Sequence, residues 1–200
     1  MQFPTGGQRV RLVTKREQMR SKPDEGTYRA LPRLPLVIAA ELRRDENFGT
    51  IARVAESLRA EKLLVSGLAI TGTGHCGALT WCPWDRVDAL APNLVEYASL
   101  GYRLYAVDLI EGARPFGEVD WVFPCVLVLG SESSGISPAT LEVCHEAVYV
   151  PSYGMNSSMN VAVCAALVGY EAIQHLSPRP QELGGISPGS SGGVFGSDRG

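Results

Sequence analysis

Short apolar runs alternate with segments of helical periodicity along most of this 200-residue chain. The runs "LPLVIAA", "KLLVSG", "YRLYAVDL", "PCVLVLG" and "AVYVP" predict strands, several of them buried. Segments such as "NFGTIARVAESLRAE" and "MNVAVCAALVGYEA" repeat apolar residues three or four positions apart, which predicts helices. Strands that alternate with helices predict an α/β fold with a mostly parallel sheet flanked by helices.

The two ends of the chain differ from its body. Residues 1–33 contain Gly, Pro and charged residues with little periodicity, which predicts a basic, partly ordered N-terminal arm. Residues 34–176 carry the strands and helices and are predicted to form one domain. Residues 177–200 are rich in Gly and Ser, a composition typical of a disordered tail. A transit peptide stays open as an alternative for the N-terminus, because the first acidic residue is Glu17.

Charge is unevenly distributed along the chain. Residues 1–44 hold ten of the 18 basic residues and four acidic ones, whereas the net charge of the whole chain is −3. A basic arm on an acidic body predicts a surface that contacts RNA. A solvated tail without a partner explains the same distribution equally well from charge alone.

Cysteine content and hydropathy bear on the compartment. The five cysteines are an odd number, which favours free thiols in a reducing compartment, so we expect a cytoplasmic protein. The longest apolar run, residues 161–170, is too short to cross a bilayer, and we expect no membrane association.

A glycine pattern and a His/Cys pattern suggest two other kinds of site, for a dinucleotide and for zinc. "GTGHCG" matches the dinucleotide fingerprint, but "ALTWCP" follows it and predicts a loop where the fingerprint requires a helix. An enzyme that uses NAD on a small molecule is a rival function, and these glycines are the feature that supports it. His75, Cys76 and Cys82 match no common zinc spacing, so we expect no metal site.

Two polar segments flank predicted strands and helices. In "ENFGTIAR", Asn47 is placed to cap a helix, and Arg53 lies about 1.7 turns further along it. In "VLGSESSGISP", Gly130 ends a buried strand, Glu132 follows in a tight loop, and Ser137 is placed to cap the next helix. Gly-rich turns at the carboxyl ends of parallel strands are where α/β sheets bind ligands. Taken alone, however, the first segment is also explained as a capped helix, and the second as an ordinary connection between a strand and a helix.

A third polar segment, "VPSYGMNSSMN", stands directly before the most apolar helix. Ser157, Ser158 and Asn160 can cap this helix, and its N-terminus offers free N–H groups to a polar or anionic ligand. Capping needs one such side chain, so the surplus of polar residues favours a binding loop.

Together the three segments resemble the three motifs of the SpoU branch of the SPOUT RNA methyltransferases, the TrmH-like enzymes. The first motif, N-x-G-x-x-x-R, is matched by "NFGTIAR", and the second, G-N-E-x-x-G, by "GSESSG" with Ser131 in place of Asn. The third, I-P-M-x-G-x-x-x-S-L-N, is matched by "VPSYGMNSSMN". In that motif the residues that match are Pro151, Gly154, Ser158 and Asn160, and those that depart are Val150, Ser152 and Met159.

The resemblance implies a fold and an activity. It implies a C-terminal deep trefoil knot and S-adenosyl-L-methionine as cofactor. The implied reaction is methyl transfer to a ribose 2'-hydroxyl of structured RNA, either tRNA or rRNA, by a homodimer with the last helix at its interface. A non-catalytic RNA-binding protein that keeps the fold is the alternative.

The resemblance also implies roles for individual residues. Arg53 acts at the hydroxyl together with an RNA phosphate, and because a guanidinium hardly ever deprotonates, we favour a role in clamping phosphate over a role as base. The other implied catalytic residues are Asn47, Glu132, Ser158 and Asn160. The implied cofactor-binding residues are Leu129, Gly130, Val150, Pro151, Ser158 and Met159.

Overall fold

The computed structural model describes residue 14 and residues 22–43, 47–67, 75–131, 133–155 and 159–177. The chain divides into two compact units, of which one comprises Pro32–Pro180. In the other unit, the described secondary structure is helix α1, Glu25–Ala30. Its N-cap is Asp24, whose carboxylate accepts hydrogen bonds from the backbone N–H and the hydroxyl of Thr27 at 3.0 and 2.7 Å. These bonds lower the pKa of Asp24.

The strands of the Pro32–Pro180 unit form one sheet, in which all described pairings are parallel. The order across the sheet is β3-β2-β1-β6-β4-β7-β5. The predicted α/β fold with a mostly parallel sheet is therefore confirmed. The strands are β1 (Leu34–Glu41), β2 (Ala60–Ser66), β3 (Trp84–Val87), β4 (Arg103–Val107), β5 (Arg114–Pro115), β6 (Cys125–Leu129) and β7 (Glu146–Tyr149).

Helices connect the strands and cover the sheet. The segment after "GTGHCG" was predicted to be a loop, and this prediction is wrong because a single helical turn, α3, begins directly after Gly77. A short 3-10 helix, Phe116–Glu118, follows β5. The α-helices of this unit are α2 (Phe48–Ser57), α3 (Ala78–Trp81), α4 (Leu90–Ser99), α5 (Pro138–Leu141) and α6 (Val161–Gln174).

Apolar side chains fill both faces of the sheet. On one face, Leu90 and Leu94 of α4 pack against side chains of β1, β2, β4 and β6. On the other face, α2 and α6 lie side by side. Gly169 permits the close approach of α6, because an added Cβ there would lie 2.5 Å from Cδ1 of Leu58 and 3.7 Å from Cδ1 of Leu127. All five residues of β6 are buried, as expected for a strand covered on both faces.

The register of the central strands brings four loops to one edge of the sheet. Leu129 at the end of β6 is paired with Ala40 of β1 and with Val107 of β4. Val107 is paired in turn with Val148 of β7. The chain segments that follow β1, β4, β6 and β7 therefore all start at the same carboxyl edge, where open α/β sheets bind their ligands.

Candidate active site

Two asparagines from distant segments join at this edge. Asn160 is the N-cap of α6: its Oδ1 accepts hydrogen bonds from the backbone N–H groups of Ala162 and Val163 at 2.9 and 3.3 Å. Its Nδ2 donates a hydrogen bond of 2.8 Å to Oδ1 of Asn47, which is buried. The pair links the start of α2 to the start of α6, and so brings the first and third motifs together.

The role predicted for Asn47 as a helix cap is wrong. Asn47 does precede α2, but its side chain makes no capping hydrogen bond to that helix. Its amide oxygen is used by Asn160 instead. The buried Gly49 follows in the first turn of α2, and Arg53 lies exposed on the same helix. Arg53 is six residues beyond Asn47, about 9 Å along the helix axis.

The loop after β6, residues 130–137, is called here the β6 loop, and it turns back tightly on itself. Ser131 and Gly135 exchange two backbone hydrogen bonds of 3.0 and 2.9 Å. The Ser131 hydroxyl also lies 2.7 Å from that of Ser134. A Cβ added to Gly130 would lie 2.2 Å from the backbone carbon of Gly135, so this turn requires glycine at position 130. Ser131, which departs from the family motif, thus closes the loop locally.

Two acidic residues that the sequence analysis missed hold the β6 loop in place. Glu41, the last residue of β1, accepts hydrogen bonds from the backbone N–H and the hydroxyl of Ser137 at 2.7 and 2.8 Å, and from the Thr140 hydroxyl at 2.5 Å. Ser137 was predicted to cap α5, but its side chain makes no capping bond because it faces Glu41. Asp108, directly after β4, accepts a hydrogen bond of 3.3 Å from the backbone N–H of Ile136.

The loop after β7, residues 150–160, is called here the β7 loop, and its described side chains are largely open to solvent. Val150 and Pro151 are half-buried, and Met159 is 39% exposed. Tyr153 and Met155 are fully exposed at 98% and 102%. These residues give the β7 end of the carboxyl edge an exposed apolar surface.

Of the predicted site residues, the structure gathers most at the carboxyl edge. Asn47 and Asn160 are in contact, and Leu129 and Gly130 end the central strand β6. Val150, Pro151 and Met159 follow β7, which is separated from β6 by β4. Arg53 stands on α2, whose first turn reaches this edge. Glu132 and Ser158 lie outside the described residues.

The last helix combines a buried side with an exposed apolar side. Ala162, Ala165, Val168 and Ala172 are buried against the sheet and α2. The exposed side presents Val163, Leu167 and Tyr170 at helical spacing, at 45%, 41% and 49%, and Met159 just before the helix continues the stripe at 39%. Such a stripe is unusual on a surface that faces only water.

Three further properties of the described residues concern metal ligands, membrane spans and thiols. No group of three or more His, Cys, Asp or Glu side chains among the described residues could hold a metal ion. None of the described helices is long and apolar enough to span a membrane. All five cysteines lie in the described parts and are free thiols. Burial raises the pKa of Cys82 to about 11 and of Cys144 to about 12, so both stay neutral at physiological pH.

A cavity of about 340 Å³ lies near the start of β7. Its walls are formed by the segment after Asp108 and by residues around the start of β7, among them Ile110, Arg114, Leu141 and His145. None of the predicted site residues that the structure describes lines it. It is therefore separate from the candidate site.

Comparison with known proteins matches most of this domain. Residues 35–170 match the sequence model of the SpoU rRNA Methylase family. The tRNA (guanosine(18)-2'-O)-methyltransferase of Aquifex aeolicus is 31% identical over 146 residues, which cover 68% of this chain and 67% of that protein. The Escherichia coli K12 protein of the same name is 24% identical over 140 residues, and the match spans 61% of its length.

Solved structures share the fold. The A. aeolicus TrmH/SpoU tRNA modifying enzyme superposes with a TM-score of 0.70 at 27% identity, covering 86% of this chain and 88% of that one. The SpoU methyltransferase AviRb from Streptomyces viridochromogenes, in complex with the cofactor AdoMet, gives a TM-score of 0.62 at 27% identity. That match covers 76% of this chain and 62% of AviRb.

Proposed function

Because this chain belongs to the SpoU rRNA methylase family, we propose that it transfers a methyl group from S-adenosylmethionine to a ribose 2'-hydroxyl of tRNA or rRNA. The observation that carries this function is the hydrogen bond of 2.8 Å between Asn47 and Asn160. It assembles the first and third motifs beside the β6 loop, at the ligand-binding edge of a parallel sheet. The named relatives that methylate a tRNA guanosine at the 2'-oxygen support the reaction type.

The residues at the sheet edge fit this cofactor. Leu129 and Gly130 offer backbone groups at the end of β6, where the tight turn keeps side chains away. Val150, Pro151 and Met159 offer an apolar surface suited to the adenine ring. Ser158 completes the proposed set on the basis of the family motif. When bound, S-adenosylmethionine supplies a methyl group activated by its sulfonium charge.

Arg53 is proposed to handle the RNA. It is exposed on α2, so its guanidinium is accessible to a phosphate of the substrate. A guanidinium donates in a planar fork that matches phosphate oxygens, and it stabilises negative charge that develops on the attacking oxygen. Because it stays protonated, it is a clamp and an electrostatic stabiliser rather than the proton acceptor.

This role of Arg53 can be separated from that of a base by a pH–rate profile of the Arg53→Lys variant. If Arg53 is a clamp, Arg53→Lys should lower the methylation rate and leave its pH dependence unchanged. Lys keeps the positive charge but lacks the planar guanidinium that donates two hydrogen bonds to a phosphate. A preserved rate with a profile shifted towards the lower pKa of Lys would show that Arg53 accepts the proton.

Asn47 and Asn160 are proposed to position the reacting groups. The Asn160 amide caps α6 and also donates to Asn47, the residue before α2, so it ties the start of the helix that carries Arg53 to the end of the β7 loop. Aligning the attacking oxygen with the methyl group is a positioning task, to which such fixed geometry contributes directly. Glu132 and Ser158 are proposed to organise the same site on the basis of the motifs.

A homodimer and a deep trefoil knot complete the proposed architecture. The exposed apolar stripe of α6 supports the dimer, because it would be buried against a second copy. The TM-score of 0.70 with the A. aeolicus structure supports a common fold, to which the knot belongs as a family property.

Sedimentation tests the dimer. Leu167→Glu should give monomers, whereas the control Val95→Glu, on the exposed side of α4, should leave the dimer intact.

The two ends of the chain are proposed to lie outside the catalytic domain, which comprises residues 34–176. The basic residues of 1–33 are proposed to contribute to substrate selection, whereas most of residues 1–21 and all of residues 178–200, where the arm and the tail were predicted, lie outside the described residues. The RNA-contacting role is supported by charge, because ten of the chain's 18 basic residues lie within residues 1–44. Free thiols throughout the chain support a cytoplasmic location.

Incubation with total RNA and cofactor labelled on the methyl group tests the function. The proposal predicts label in RNA at positions that become resistant to alkaline hydrolysis, because a methylated 2'-oxygen cannot attack the neighbouring phosphate. Label only on bases would contradict it. Binding of RNA without binding of S-adenosylmethionine would favour the non-catalytic RNA-binding alternative.

A further inference from the structure

The carboxylate of Asp108 stands between the two loops of the candidate site. It follows β4, the neighbour of the central strand β6. Its Oδ2 accepts a hydrogen bond of 3.3 Å from the backbone N–H of Ile136 in the β6 loop. A Cβ added to Gly135 would lie 2.6 Å from the same oxygen, so this carboxylate touches the β6 loop directly.

The charge of Asp108 also reaches the first turn of α6. Burial, together with the negative charge of Asp108, raises the pKa of the Cys164 thiol. The Cys164 thiol in turn lies 3.8 Å from the backbone oxygen of Met159, at the end of the β7 loop. Asp108 therefore contacts the β6 loop directly, and its charge acts on the first turn of α6, which follows the β7 loop.

The carboxylate keeps capacity for a further partner. Its two oxygens accept one described backbone hydrogen bond each, from Leu109 at 2.8 Å and from Ile136 at 3.3 Å. A carboxylate offers about four acceptor sites. Of the ion pairs formed between described residues, none includes Asp108. Glu41, the other carboxylate that holds the β6 loop, is by contrast occupied by three donors.

Among the described residues this half-buried anion has no cationic partner, and its position next to a ligand site favours a ligand that carries positive charge. S-adenosylmethionine has this property at its sulfonium. When the methyl group leaves, the electron pair of the broken bond stays on sulfur, and the product S-adenosylhomocysteine no longer has that charge. Substrate and product thus differ at this point in charge as well as in one methyl group.

We propose that Asp108 is a specificity-determining residue that makes the site prefer the sulfonium cofactor over its neutral thioether product. This inference rests on the proposed function, because it assigns a role within the cofactor site. The negative charge stabilises the bound cation before transfer and contributes nothing equivalent afterwards. The product therefore lacks this part of the cofactor's binding free energy, so the site binds the cofactor more tightly than the product.

Calorimetric titration of the full chain with three ligands tests the proposal. The ligands are S-adenosylmethionine, S-adenosylhomocysteine and sinefungin, an analogue that carries an ammonium group near the sulfonium position. For Asp108→Asn, we expect the dissociation constants of the two cationic ligands to rise roughly tenfold, and that of the thioether less than about twofold. Because the comparison is made within one variant, a general loss of folded protein affects all three ligands alike.

Two control variants sharpen the test. Asp120→Asn removes the same charge from an exposed residue in the segment that precedes β6, and should leave all three affinities unchanged. Asp108→Glu keeps the charge and should retain most of the preference for the cationic ligands.

Two outcomes distinguish the failure of this inference from that of the proposed function. If Asp108→Asn weakens all three ligands by one factor, Asp108 acts only by holding Ile136, and the inference is overturned while the function stands. If the unaltered chain binds none of the three ligands, the proposed function fails and the inference with it.

Discussion

The β6 loop and the β7 loop leave adjacent regions of the same sheet but are held in different ways. The β6 loop is fixed at almost every described position, by the backbone bonds between Ser131 and Gly135 and by the carboxylates of Glu41 and Asp108. The β7 loop instead presents the side chains of Tyr153 and Met155 fully to solvent. The difference indicates that the β6 loop is a preformed wall of the site. We expect the exposed surface of the β7 loop to become buried when a ligand binds.

Two glycine substitutions test this contrast most strongly. In Gly130→Ala the new Cβ would meet the backbone of Gly135 at 2.2 Å and Ile136 at 2.4 Å, whereas in Gly154→Ala it meets nothing within 4 Å. Because backbone cannot move aside cheaply, we expect Gly130→Ala to lower the free energy of unfolding by about 3 kcal/mol. We expect Gly154→Ala to change it by less than about 0.5 kcal/mol. Chemical denaturation measures both, and equal effects would remove the distinction between the loops.

The Asn47 and Asn160 pair is where the β7 loop becomes fixed. Asn160→Ala removes both the cap of α6 and the bond to Asn47, so we expect a loss of about 2 kcal/mol in the free energy of unfolding. A double-mutant cycle with Asn47→Ala should give a coupling energy of about 1 kcal/mol. A coupling energy near zero would mean that the two amides do not hold the helix starts together.

Glu41→Gln tests how the β6 loop is anchored to β1. The amide keeps the shape of the side chain but offers one acceptor oxygen, so it cannot serve all three donors from Ser137 and Thr140. We expect a loss of about 1–2 kcal/mol in the free energy of unfolding. Glu111→Gln, at an exposed residue near the same edge, is the control and should be neutral within about 0.5 kcal/mol.

Tyr153→Ala should have the smallest effect on stability. Its side chain is 98% exposed, so its removal should change the free energy of unfolding by less than about 0.5 kcal/mol. A loss above about 1 kcal/mol, measured by denaturation of the free protein, would show that the β7 loop is packed in solution.

The sequence predicted the parts of the fold that are encoded locally. The apolar runs became β1, β2, β4, β6 and β7. The edge strand β3 was missed because "WDRV" contains no apolar run, and its two middle residues are exposed. β5 was missed because it has only two residues.

The site was predicted in outline but not in its contacts. The motifs identified Asn47 and Asn160, yet local reasoning assigned Asn47 to its own helix, while its partner lies 113 residues away in the chain. Ser137 was assigned as a cap for the same reason, although its partner Glu41 lies 96 residues away. Glu41 and Asp108 were missed altogether. The sequence signal that could have identified them is an acidic residue directly after an apolar run, as in "VIAAE" and "LYAVD".

A crystal structure of the chain with S-adenosylmethionine tests the central claim most directly, namely that the β6 and β7 loops jointly hold the cofactor. The account predicts electron density for the adenosine between Gly130 and Met159, with the methyl group open to the side on which Arg53 lies. Density in the cavity lined by Ile110, Arg114 and His145, with the two loops empty, would contradict it.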